Sequence, residues 1–98
     1  MSMLHVVNKS PYERGSLETA TGYMTDGDEL LLIEDGVYAA LKTGKAASLL
    51  SGRKVSVLGP DLDARGISAD KLADGLSVVD YAGFVDLVEA KDKVQSWL

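Results

Sequence analysis

The chain has 98 residues, 46% of them hydrophobic and 26% charged, the size and make-up of one compact soluble domain with no room for a second. Fifteen acidic against ten basic side chains leave a net charge of −5, spread over both halves. That balance argues against direct binding of a phosphate backbone, which depends on clustered cations. No cysteine is present, so disulfides, thiolate zinc sites and a thiol nucleophile are excluded. No apolar run approaches the roughly 20 residues of a membrane span and no basic-then-apolar leader opens the chain, so a soluble cytoplasmic protein is the expectation.

In chain order, Met3 to Val7 is short, apolar and β-rich, and reads as a first strand stopped by Asn8-Lys9-Ser10-Pro11. A helix is expected from there: Ser10 as N-cap, Pro11 at the first helical position, Glu13 closing a capping box, and Leu17, Ala20 and Met24 on one face. It should end near Thr25 to Gly27. Leu30 to Ile33 is apolar without alternation, as in a parallel strand covered on both faces, and runs into Glu34-Asp35-Gly36. Val37 to Leu50 predicts a short helix, a break at Gly44 and a further turn or two.

Lys54 to Leu58 is a third strand, stopped by Gly59-Pro60. Asp61 to Arg65 predicts a helical turn closed by Gly66, and Ser68 is placed to cap another around Asp70 to Leu72. Leu76 to Val79 is a fourth strand, with Asp80 capping a last helix whose core stripe is expected at Tyr81, Phe84, Val85 and Val88. Leu87 widens that stripe. Val94 to Leu98 can add a terminal strand, and Leu87, Trp97 and Leu98 are candidates for a subunit contact. Strands alternating with helices imply an α/β fold: a small doubly wound, mainly parallel sheet with helices on both faces.

In such a sheet the functional crevice lies past the carboxyl ends of the strands, at Asn8-Lys9-Ser10, Glu34-Asp35-Gly36, Gly59-Pro60-Asp61 and Asp80-Tyr81. Neither GxGxxG nor GxxxxGK[ST] occurs there, which excludes the two common phosphate cradles. Glu34, Asp35, Asp61 and Asp80 invite a Mg²⁺ or phospho-receiver reading, but a receiver wants its acidic pair after the first strand, where Asn8 and Lys9 stand. Helix capping is the ordinary explanation of these residues. His5 is the sole histidine and sits inside an apolar strand, where a hydrogen-bonded core role outweighs that of catalytic base; no Ser-His-Asp triad is indicated. Neither cofactor nor metal is expected. An alternative function, a small-ligand or anion-binding module, would use Lys9, the first helix N-terminus and the strand-end crevice.

Four segments, Leu4-His5-Val6-Val7-Asn8-Lys9-Ser10-Pro11, Leu31-Leu32-Ile33-Glu34-Asp35-Gly36-Val37-Tyr38-Ala39-Ala40, Leu58-Gly59-Pro60-Asp61-Leu62-Asp63-Ala64-Arg65-Gly66 and Val79-Asp80-Tyr81-Ala82-Gly83-Phe84-Val85-Asp86-Leu87, resemble the TusB/DsrH family of sulfur-relay subunits, as does the ending Val94 to Leu98. The resemblance covers nearly all of residues 1–98, read as one TusB/DsrH-like domain. It implies a DsrE-like fold and a place in a hetero-hexamer with TusC/TusD-like or DsrE/DsrF-like subunits, the TusD/DsrE type carrying the persulfide-forming cysteine; with no cysteine of its own, this chain is expected to be a non-catalytic subunit. It implies a role in sulfur transfer toward 2-thiolation of tRNA wobble uridine, or in sulfur oxidation.

Dsr-type members usually have a cysteine in the first helix, and the matching position here is Ala20. A methyl group neither ionises nor holds sulfane sulfur. Two readings follow, a Tus-like subunit that never carried the thiol or a Dsr-like one with a Cys→Ala replacement. On its own spacing, Ala20 is simply a small residue allowing close helix packing.

Overall fold

The structure is a computed structural model that describes residues 2–97. Five strands, β1 (Met3–Val7), β2 (Glu29–Leu32), β3 (Lys54–Leu58), β4 (Ser77–Val79) and β5 (Lys93–Trp97), form one sheet in the order β4-β3-β2-β1-β5, with every neighbouring pair parallel. Three α-helices accompany them: α1 (Ser16–Tyr23), α2 (Gly59–Ala64) and α3 (Tyr81–Ala90). Two 3₁₀ helices, Glu34–Ala40 and Lys45–Leu50, join β2 to β3, and a third, Ala69–Lys71, precedes β4. The chain steps outward from β1 to β4, then α3 carries it back across the sheet to β5 at the far edge.

Alternation of side chains across the strands builds two unequal cores. On one face Val7, Leu30, Leu32, Val55 and Val57 meet Leu17 and Ala20 of α1, Val37, Ala39 and Ala40, Ala46 and Leu50, and Leu62 of α2. On the other, Leu4, Val6 and Leu31 are covered by Phe84, Leu87 and Val88 of α3. Helices therefore lie on both faces, and the doubly wound α/β arrangement read from the sequence is the one observed. β2 is buried at all four positions, which explains its unbroken apolar run.

Local chemistry sets most boundaries. Asp80 accepts a hydrogen bond from the Gly83 amide at 2.8 Å and so caps α3. Gly66, at φ 67°, ends α2: its amide donates to the Asp63 carbonyl and that of Ile67 to Leu62, a Schellman closure that buries Leu62 and Ile67 together.

Three expectations need correction. The first helix starts at Ser16, not at Ser10. The Ser10 hydroxyl accepts from the Tyr12 amide and its carbonyl from the Glu13 and Arg14 amides, which folds residues 10–14 into a turn instead of a helix. The stripe on α3 is rotated, with Phe84, Leu87 and Val88 facing the sheet while Tyr81 and Val85 are 62% and 53% exposed. Ser68 precedes its short helix, but its hydroxyl donates to the Asp70 carboxylate and accepts no backbone amide as a cap. In the terminal strand, Leu98 lies outside the described residues.

Candidate functional site

At the carboxyl end of β2 the protein's own groups hold the loop closed. After β2, the Glu34 amide donates to Asp61 Oδ2 at 2.6 Å, which binds the loop to the start of α2. Arg65 aims Nε and Nη2 at Asp35 Oδ1, at 3.0 and 2.9 Å, and Nη1 at the Asp61 carbonyl. Gly36 lies against β1, where an added Cβ would stand 2.2 Å from the Val7 carbonyl oxygen, and its amide donates to Ile33 at 2.8 Å. Only glycine fits so close an approach. Glu34 supplies the turn with a left-handed φ of 48°, a strained value for a side-chain-bearing residue.

Each predicted acidic residue thus has an internal task. Asp61 and Asp80 hold backbone amides, Asp35 holds Arg65, and Glu34 forms the turn. Among the described residues, no group of three or more His, Asp or Glu is arranged to hold a metal ion. Lys9 is exposed beside the residue 10–14 turn, and α1 begins six residues after Ser10 with no side-chain cap, so no helix N-terminus lies at Ser10 where the sequence reading put it. Where the chain leaves β3 toward one face and β4 toward the other, the crevice is an open depression lined by Gly59, Pro60, Asp63, Val79, Asp80 and Gly83. Its charged groups are both carboxylates, which repel anions.

Ala20 has no exposed surface and lies in the larger core with Leu17, Val7 and Leu30. Leu87 is half-buried against the sheet, and Trp97 turns inward from β5.

That indole belongs to a network legible in the sequence only in part. His5 is 1% exposed, as its setting in an apolar strand implied, and both ring nitrogens are engaged. Trp97 Nε1 donates to Nδ1 at 3.0 Å, and Nε2 lies 3.0 Å from Asp28 Oδ2. Asp28 also accepts from the Met3 amide at 2.9 Å and the Thr25 amide at 3.1 Å. Burial by itself raises the Asp28 carboxyl, but the hydrogen bonds from His5, Thr25 and Met3 outweigh it and hold it below its ordinary value. Tyr23 of α1 stacks on Trp97 with centroids 5.4 Å apart, and a cavity of about 380 Å³ beside the network is lined by Met3, Tyr23, Thr25, Lys93, Gln95 and Trp97.

Nearby, Glu29 is buried at the start of β2 and paired with Lys91 at 2.9 Å and Lys54 at 3.3 Å. Burial again opposes its ionisation and the two ammonium groups prevail, holding its carboxyl below the usual value. Neither Asp28 nor Glu29 stood out in the sequence. The one local signal was Thr25-x-x-Asp28 directly ahead of an apolar strand, a turn motif whose carboxylate ends up beside the residue paired to that strand by register.

Fold and site together define a small all-parallel α/β domain whose strand-end carboxylates make structural contacts and in which a buried polar network joins β1 to the edge strand β5. The family model for DsrH like protein matches residues 9–94. Protein TusB of Enterobacter sp. (strain 638) is 39% identical over 97 residues, covering 97% of this chain and all of that one. Protein TusB of Klebsiella pneumoniae (strain 342) is 38% identical over 87 residues, covering 87% and 90%. The chain therefore belongs to the DsrH-like family, with proteins designated TusB among its relatives. The ychN protein from E. coli has the same fold, with a TM-score of 0.83 at 23% identity over 99% of both chains. No described helix is long and apolar enough to cross a membrane.

Proposed function

We propose that residues 1–98 act as one non-catalytic subunit of a cytoplasmic sulfur-relay complex, contributing shape to an assembly whose reactive thiol lies on another chain. The observation that carries this reading is family membership across residues 9–94 combined with 98 residues that hold no thiol. Ala20, at the position matching the family cysteine, takes a packing role consistent with its complete burial. The partners are TusC- and TusD-like or DsrE- and DsrF-like subunits in a hetero-hexamer, serving 2-thiolation of tRNA wobble uridine or sulfur transfer in sulfur oxidation. Support for an assembling role comes from the thin side of the fold: one helix covers that face, and Tyr81 and Val85 point outward from it.

Co-expression with both partner types followed by size-exclusion chromatography tests the proposal. Co-elution in a stoichiometric complex supports it, whereas a lone monomer beside an intact partner complex defeats it.

A further inference from the structure

We propose that Trp97 and a proton compete for one nitrogen of His5, so that acidification unlatches the end of β5 from the sheet. The indole N–H only donates, so the Nδ1 it addresses at 3.0 Å must carry a bare lone pair. The Asp28 carboxylate only accepts, so Nε2 at 3.0 Å must carry the proton. The two neighbours thereby fix a neutral imidazole in one tautomer. The His5 and Trp97 planes are inclined by only 19° with centroids 6.0 Å apart, consistent with an N–H aimed along the in-plane lone pair.

A second proton, delivered from water or a buffer acid, has only Nδ1 to occupy. Two N–H groups then face each other, and the indole bond is lost. The bond to Asp28 survives and becomes charge-assisted. By linkage, proton uptake and Trp97 docking oppose each other.

The surrounding charges do not remove the conflict. The charged groups around the ring are Asp28, from the loop ahead of β2, and Lys93 of β5, which lines the same cavity. Tyr23 of α1 and Gln95 of β5 complete the polar groups lining the cavity, and Glu29 is already matched by Lys91 and Lys54. None of them accepts the indole proton in place of Nδ1. The consequence falls on β5 because this strand pairs with β1 alone and Lys93 to Ser96 are exposed, leaving Trp97 as its one half-buried side chain among the described residues. Release of Trp97 also frees the face of Tyr23 on which it stacks.

One histidine and one tryptophan make the test unambiguous. Ring ¹⁵N shifts of His5, indole N–H exchange and β5 amide protection are followed by NMR on the full chain from about pH 8 to about pH 5. The expected result is a proton on Nε2 at the upper end, and an indole protection factor, taken against the intrinsic exchange rate at each pH, that falls roughly tenfold with the same midpoint as the ring titration, the worth of about one hydrogen bond. In Trp97→Phe, which keeps a ring but lacks the N–H, β5 protection no longer follows that titration. A proton on Nδ1 at the upper end, a ring that stays neutral throughout, titration without change at the indole, or β5 protection in Trp97→Phe that still tracks His5 would each overturn the proposal.

Discussion

Gly36→Ala isolates the close approach of the turn after β2 to the end of β1. The added methyl carbon would lie 2.2 Å from the Val7 carbonyl oxygen and 3.0 Å from its carbon, where ordinary contact begins near 3.4 Å. About an ångström of separation must be found between the turn and β1. Neither side yields easily, since Val7 is fully buried and its carbonyl accepts the Ile33 amide at 3.0 Å. Overpacking against fixed backbone costs about 2–3 kcal/mol. With a urea slope of about 1 kcal/mol/M for a chain this small, the unfolding midpoint should fall by roughly 2 M. Gly22→Ala is the control, because it lies in α1 with nothing within 4 Å of the new methyl and should gain about 0.5–1 kcal/mol from helix propensity. A Gly36→Ala protein within about 0.5 kcal/mol of the parent would show that the turn moves freely and is not held against β1 as described.

Further outcomes follow from the same contacts. Asp28 and Glu29 both have carboxyls held below their ordinary values, so their contribution is fully present above the unfolded-state values of about 3.9 and 4.3 and is lost as pH falls through the folded ones. Urea unfolding followed below about pH 4 should show stability dropping with acid, and Asp28→Asn should flatten that slope; an unchanged slope contradicts the assignment. Ala20→Cys should give a thiol that alkylating reagents modify slowly in the native isolated chain and quickly in denaturant, because the site has no exposed surface. Rapid native modification contradicts that burial. Phe84→Ala, half-buried against Leu4, Val6 and Leu31, should cost about 2 kcal/mol. Val85→Ser, on the exposed face, should stay within about 0.5 kcal/mol of the parent, and equal costs for the two would mean the phase of α3 is wrong.

The strands were legible because burial on both faces leaves short apolar runs with turn residues at their ends, as at β2 and β3. Asp80 and Gly66 were legible because capping and helix closure are decided within a few residues. Ser10-Pro11-x-Glu13 misled for the complementary reason: the same residues serve a helix start or a tight turn, and hydrogen bonds to Ser10 select the turn. On α3, Tyr81 and Val85 fit helical spacing as well as Leu87 does. Periodicity fixes that a helix has a face, but the phase depends on the sheet it meets. The His5 network joins residues 23 and 92 positions apart, so only β1 at its place between β2 and β5 brings them together. Ala20 was readable both as a packing residue and as the match to a family cysteine, and its burial bears on the first of these.

The most direct test of a contribution through shape is sulfane-sulfur uptake, measured by mass spectrometry on the partner subunits after exposure to a persulfide donor, with and without this chain. The account predicts that partner loading rises when the chain is present, with no sulfane adduct on the chain itself. Equal loading of the partners in its absence would contradict it.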